Sequence, residues 1–235
     1  MKKKIIILVL AIIAGIGFAI IYQDYNRYLK SDARKFKCEY EDLNGETSKS
    51  GKEYRKVSIS KKNKMVYSTA EEIVKKIDNN ETFVVYFGFA ACPWCRSMVA
   101  NLVDMSIDKG VTVYYVDVLE IRDTLELVDG EVKRTKEGTK GYMELLDRLG
   151  LVLSDYSIKN EDGEEVETNE KRIYAPNVVA VVNGTAQKMV EGVSSKLTDP
   201  YHELTEEMQK ESKEQLKCIF KCLEEANVCT KKESC

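Results

Sequence analysis

The chain opens with Lys2, Lys3 and Lys4 and then runs without a polar side chain from Ile5 to Ile21. A run of this length lies at the boundary between a signal-peptide core and a short membrane span. Gly17-Phe18-Ala19 is a poor small-x-small cleavage site, so residues 1–22 are read as an uncleaved anchor rather than a cleaved signal. The lysines stay inside and the remainder is exported to the outer side of the cell membrane. From Tyr22 to about Lys64 polar residues dominate and apolar ones are few, which reads as a polar stalk over 23–63.

Beyond residue 64 the pattern changes to short apolar runs alternating with helix-periodic segments. A first strand is expected near Val57–Ser60 or Met65–Tyr67, followed by a helix with a capping box at Ser68-Thr69-Ala70-Glu71 and an apolar face of Ile73, Val74 and Ile77. Phe83 to Phe89, aromatic and β-branched, has the composition of a buried central strand. Pro93 suits the first position of the next helix, whose apolar face carries Met98, Val99, Leu102, Val103 and Met105 and which stops at Lys109-Gly110. Val111 to Val118 reads as a parallel strand, and Asn183-Gly184 between Val178–Val182 and Thr185–Val190 signals a hairpin.

The stretch between Asp117 and Pro176 is longer than one helix and two loops need, so an insertion over 119–171 is expected. It holds turns at Asp129-Gly130 and Asp162-Gly163 and a helix from about Thr139 to Leu149. Its acidic run from Glu161 to Glu170 lacks the spacing of a calcium loop and reads as a solvated hairpin. The main domain is bounded at 64–200, and 201–235 forms a C-terminal helix, from about Leu204 to Ala226, with a cysteine-rich tail. His202, the sole histidine, reads as a surface residue at the helix start.

The net charge of −3, from 36 basic and 39 acidic residues interspersed, gives no footprint for nucleic acid. The seven cysteines change the picture more. Cys92-Pro93-Trp94-Cys95 closes the apolar strand and opens a helix, so Cys92 falls at a helix N-terminus. Free N–H groups and the positive end of the helix dipole favour a thiolate there. Cys92 is the expected nucleophile, and Cys95, one turn in, can resolve a mixed disulfide. Arg96 either adds positive charge nearby or is a solvated surface cation. A C-x-x-C in isolation also fits half a zinc site or a structural bridge, but the flanking strand, proline and helix favour redox chemistry.

The stretch YFGFAACPWCRSM, together with EGTKGY and KRIYAPNVVAVVNG, resembles the thioredoxin superfamily, and within it the membrane-anchored Gram-positive bacteriocin transport accessory proteins. The resemblance covers Tyr67 to Gly192. It implies an α/β thioredoxin-like fold, with a central mixed sheet flanked by helices and the insertion placed before a cis-proline strand. It also implies that Pro176 is cis and lies against the Cys92–Cys95 pair, with the Ala175 backbone pairing with substrate and Pro93 and Trp94 as supporting residues. In many members a buried Asp stands where this chain has Tyr86, and a kinking proline where it has Ala100. The implied activity is thiol–disulfide exchange with cysteine-containing exported proteins or peptides, without a cofactor, in company with a membrane redox partner. The alternative is an accessory module that holds an exported peptide or its transporter.

Cys218 and Cys222 stand four apart on the C-terminal helix, ahead of Cys229 and Cys235 in the tail. The helical pair projects to one side, so each thiol can reach back to a tail cysteine and form two structural disulfides in an oxidising compartment. Four thiolates around zinc is the competing reading, weakened by the spacing. Cys38, in the polar stretch, is assigned to a structural or partner disulfide rather than to a reactive thiol.

Overall fold

The structure is a computed structural model that describes the backbone of residues 2–224 and the side chains of residues 12–224. In chain order its first elements are α1 (Lys2–Leu29), α2 (Asp32–Glu41), β1 (Met65–Tyr67), α3 (Ala70–Asp78), β2 (Phe83–Gly88), α4 (Pro93–Lys109) and β3 (Val113–Asp117). They are followed by β4 (Thr124–Val128), β5 (Glu131–Lys136), α5 (Lys140–Leu149), β6 (Ser154–Lys159), β7 (Glu165–Arg172), β8 (Asn177–Val182), β9 (Thr185–Glu191) and α6 (Glu206–Glu224).

The strand leading into CPWC is the middle of the sheet. β2 is buried along its whole length, as its lack of polar positions requires. It pairs in parallel with β3 and antiparallel with β8, and the full order is β1-β3-β2-β8-β9. The protein is thus a mixed α/β structure with a central mixed sheet flanked by helices. Alternation along each strand sorts the side chains onto two faces. Val84, Tyr86, Val113, Tyr115, Val178 and Ala180 point to one core, shared with α2, α4 and α6. Phe83, Val85, Phe87, Val116, Val179 and Val181 point to the other, shared with α3 and α5.

Local signals fix most of the boundaries. Pro93 opens α4, and Gly110 closes it in the left-handed conformation with φ 66°. Asn183 and Gly184, with φ 48° and 71°, make the β8–β9 turn. The capping box of α3 lies one residue later than expected, on Thr69 and Glu72. Ser68 cannot serve as the cap, because its N–H still bonds the Tyr115 carbonyl at 2.9 Å and so continues the β1 ladder.

Within the stretch read as a polar stalk over 23–63, the part from α2 onward packs against the sheet. α2 buries Phe36 and Tyr40 completely, and the extended chain after it buries Val57 and Ile59. Composition hid this because a short amphipathic helix needs few apolar residues to cover one side of a sheet. Ser31 caps α2 through the Arg34 N–H. Glu41 accepts from the Ile59 N–H at 2.6 Å, and the Asn44 side chain bonds both backbone groups of Val57.

Arg96 decides how this segment docks. It is not the solvated cation of one sequence reading, since it is only 1% exposed. Its guanidinium donates to the carbonyls of Arg55 (2.8 Å), Tyr40 (2.8 Å) and Ala90 (3.3 Å) and to the Asn44 side chain (2.7 Å). The Tyr40 carbonyl belongs to the last turn of α2, where acceptors lack helical partners and the helix dipole is negative. A fork of fixed N–H groups suits several carbonyls at once, which an ammonium does not.

The 119–171 insertion contains the β4–β5 hairpin, α5 and the β6–β7 hairpin, but α5 is part of the core. Tyr142, Leu145 and Leu149 are fully buried. Buried Asp123 ties both hairpins together: it pairs with Arg172 at 2.8 Å and Arg134 at 3.1 Å, and Arg134 also reaches Glu170 at 2.6 Å. α6 lays Leu216, Ile219 and Phe220 on the first core. Residues beyond 224, including the expected continuation of this helix, lie outside the described residues. His202 is exposed. Among the described residues, no helix is long and apolar enough to cross a membrane.

Replacing Arg96 with Met should deprive the carbonyls of Tyr40, Arg55 and Ala90 of its donors, while the Asn44 side-chain oxygen keeps only the Val57 N–H. Urea unfolding should then show a loss of about 3 kcal/mol or more. Arg96→Lys should recover less than half of that loss.

Candidate functional site

The site is built where β2 ends. Cys92 is the N-cap of α4, with φ −80° and ψ 118°, and its sulfur accepts the Cys95 N–H at 3.3 Å. The chain before it turns back on itself, with the Cys92 N–H bonded to the Phe89 carbonyl at 3.1 Å. Cys92 retains 4% exposure and Cys95 none, so the N-terminal thiol is the one that solvent touches, though less openly than a bare helix end implies. Trp94 stands outward at 36% exposure, beside half-buried Pro93.

The peptide bond between Ala175 and Pro176 is cis. The Cys92 thiol donates to the Ala175 carbonyl at 3.2 Å, which brings CPWC and the start of β8 together. The loop that presents Ala175 is held by Asn177, whose side-chain oxygen accepts the Tyr174 N–H at 2.6 Å. Asn177 is fully buried, and sequence reading gave it no role.

The two thiols sit in opposite electrostatic situations. The Cys92 pKa is lowered, chiefly by a hydrogen bond from Cys95, with help from the Cys95 and Trp94 backbone N–H groups and the Arg122 charge and against the effect of burial. The Cys95 pKa is raised well above the ordinary thiol value, first by burial and then by the neighbouring Cys92. The cation that acts on Cys92 is therefore Arg122 and not Arg96, which is turned away into the carbonyl cluster. Arg122 lies over the Phe89 ring at 5.4 Å and is next in sequence to the buried Asp123.

Behind Cys95 lies a group of phenols. The Tyr40 and Tyr86 hydroxyls are 2.8 Å apart, and both side chains are fully buried. Tyr86 stacks on Tyr115, whose hydroxyl donates to Glu39 at 3.0 Å, and Tyr67 donates to the other Glu39 oxygen. Gly88 makes room for this arrangement. A Cβ there would lie 2.5 Å from the Tyr86 hydroxyl and 3.0 Å from the Cys95 sulfur. Burial raises the pKa of Tyr40, Tyr67, Tyr86 and Tyr115.

The other cysteines are divided. Cys38 is a free, half-buried thiol on α2, so it is not half of an intrachain bridge. Cys218 and Cys222 are disulfide-bonded, while Cys229 and Cys235 lie outside the described residues. Among the described residues, no cluster of three or more His, Cys, Asp or Glu side chains is placed to hold a metal ion.

Alkylation of the reduced protein at about pH 6 should modify Cys92 roughly tenfold or more faster than Cys95, read by peptide mapping. Equal rates would contradict the asymmetry. The phenols predict a second behaviour. Their folded pKa values lie above the unfolded one of about 10, so their contribution to stability is complete below that pH and is lost as pH rises further. Urea midpoints should fall steeply above about pH 10, and less steeply in Tyr115→Phe.

No protein-family model matches the chain, and a search of curated proteins finds none similar to it.

Proposed function

We propose that the chain is a thioredoxin-like thiol–disulfide oxidoreductase, held at the outer face of the cell membrane, that exchanges disulfides with cysteine-containing exported proteins or peptides. The observation that carries this reading is the unequal thiol pair at the head of α4, with the Cys92 sulfur already accepting the Cys95 N–H. The thioredoxin-like assignment draws on the sheet order β1-β3-β2-β8-β9 and on a cis proline at the start of β8 beside Cys92. The likeness to the bacteriocin transport accessory proteins rests on the quoted motifs.

In the reducing direction the Cys92 thiolate attacks one sulfur of a substrate disulfide. A Cys92–substrate bond forms, and the other substrate sulfur departs with the electron pair and takes a proton from water. Cys95, once deprotonated, attacks Cys92. The enzyme disulfide forms, and the second substrate thiolate leaves. The oxidising direction is the reverse. A membrane redox partner then restores the starting form of the pair. Trp94 and Ala175 flank Cys92 and are the surfaces that a substrate segment would meet first.

Two features support the location. Disulfide bonding of Cys218 and Cys222 fits an oxidising compartment. Ile12, Ile13, Ile16, Phe18, Ile20 and Ile21 of α1 are all exposed, and a bilayer would cover them.

Cys95→Ser should accumulate mixed disulfides through Cys92, because the resolving attack is gone. Non-reducing gels of cells expressing it should show reducible adducts that vanish in Cys92→Ser/Cys95→Ser. Absence of adducts from both proteins would remove the oxidoreductase reading.

A further inference from the structure

The mechanism leaves a buried pair of phenols without a task. Tyr86 comes from the strand that precedes the active-site turn, and Tyr40 comes from α2, more than forty residues upstream. Their hydroxyls bond each other at 2.8 Å, with neither side chain exposed. Gly88 leaves open a space that the Tyr86 hydroxyl and the Cys95 sulfur both border, since a Cβ there would lie 2.5 Å from the one and 3.0 Å from the other. A buried hydroxyl pair is costly unless each member has a use for its second valence. If Tyr40 donates to Tyr86, the Tyr86 proton is left to point at the sulfur.

Resting on the oxidoreductase reading, we propose that Tyr86 is a hydrogen-bond donor to the Cys95 thiolate, and that Tyr40 is a positioning residue that orients and polarises it. The thiolate arises when an incoming thiolate attacks Cys92 of the Cys92–Cys95 disulfide. The new bond forms to Cys92, the Cys92–Cys95 bond breaks, and its electron pair remains on the Cys95 sulfur. No proton moves in that step. The negative charge appears on a fully buried sulfur, and a donor already aimed at it stabilises it there more than it would in solvent. In the reverse direction the same donor holds Cys95 as the attacking thiolate. The titratable groups that act on this sulfur include Cys92 from α4, Tyr86 from β2 and Tyr40 from α2. The Tyr86 hydrogen bond is also one of the few influences that lower the Cys95 pKa against burial.

This gives α2 a role beyond packing. It supplies the outer member of the donor chain, and Arg96, by holding the Tyr40 carbonyl, fixes where that member sits.

The test is the opening of the oxidised protein by excess glutathione, followed by mass spectrometry, in the wild type, Tyr86→Phe and Tyr40→Phe. Opening should slow about tenfold in Tyr86→Phe and about threefold in Tyr40→Phe, the range expected for a lost hydrogen bond to a charged group. A purely structural role would leave the sulfur's own titration unchanged, so the pH dependence of Cys95 alkylation, read by peptide mapping, is titrated in Cys92→Ser with and without Tyr86→Phe. The added substitution should move the titration to higher pH. An unmoved titration, or opening at the wild-type rate in Tyr86→Phe, overturns the inference. Because the titration needs no turnover, it decides the matter even if the wild type fails to react with glutathione, a failure that would count against the oxidoreductase reading alone.

Discussion

A buried guanidinium without a carboxylate partner is the constraint on which this structure turns. Arg96 meets its charge with backbone carbonyls and one side-chain amide drawn from the end of α2, the extended segment after it and the turn before Cys92. Taking such a group out of water is costly unless every donor is satisfied. The three segments are therefore bound to one another through a single residue of α4, one position beyond Cys95. Moving any of them would remove at least one of its four hydrogen bonds.

From that clamp the rest of the site follows. With α2 held against the sheet, Tyr40 meets Tyr86 and the wall behind Cys95 is closed by aromatic rings. A closed wall keeps Cys95 protonated, and the protonated thiol in turn donates to Cys92. Burial of one thiol and the helix N-terminus at the other thus act together on the same pair. Their combined effect is one thiol with a lowered pKa beside another with a raised one.

The insertion contributes from the opposite side. Asp123, buried and paired with Arg134 and Arg172, fixes the two hairpins relative to each other, and the adjacent Arg122 lies over Phe89, within electrostatic reach of Cys92. α5, from the middle of the same insertion, completes the second core. The segment between β3 and β8 is therefore continuous with the domain in packing, even though its hairpins project from it.

The sequence by itself determined the features whose causes are local. Pro93 and Gly110 bound α4, Asn183-Gly184 turns the β8–β9 hairpin, and period-two alternation assigns Val84 and Tyr86 to one face and Val85 and Phe87 to the other. The position of Cys92 at a helix start was legible for the same reason, since strand, proline and helix are adjacent in the chain. Tertiary structure alone decided what depends on contacts between distant residues. The stretch around Phe36 and Tyr40 looked polar because only its inner side is apolar, and nothing near it in sequence says what that side will meet. Arg96 carries no local sign that its partners will be carbonyls from residues 40, 55 and 90, and Tyr86 reads as an ordinary core aromatic until Tyr40 and Cys95 are brought to either side of it. Propensity and capping act over a few residues, whereas satisfying a buried charge or a buried hydroxyl is a condition on the whole fold.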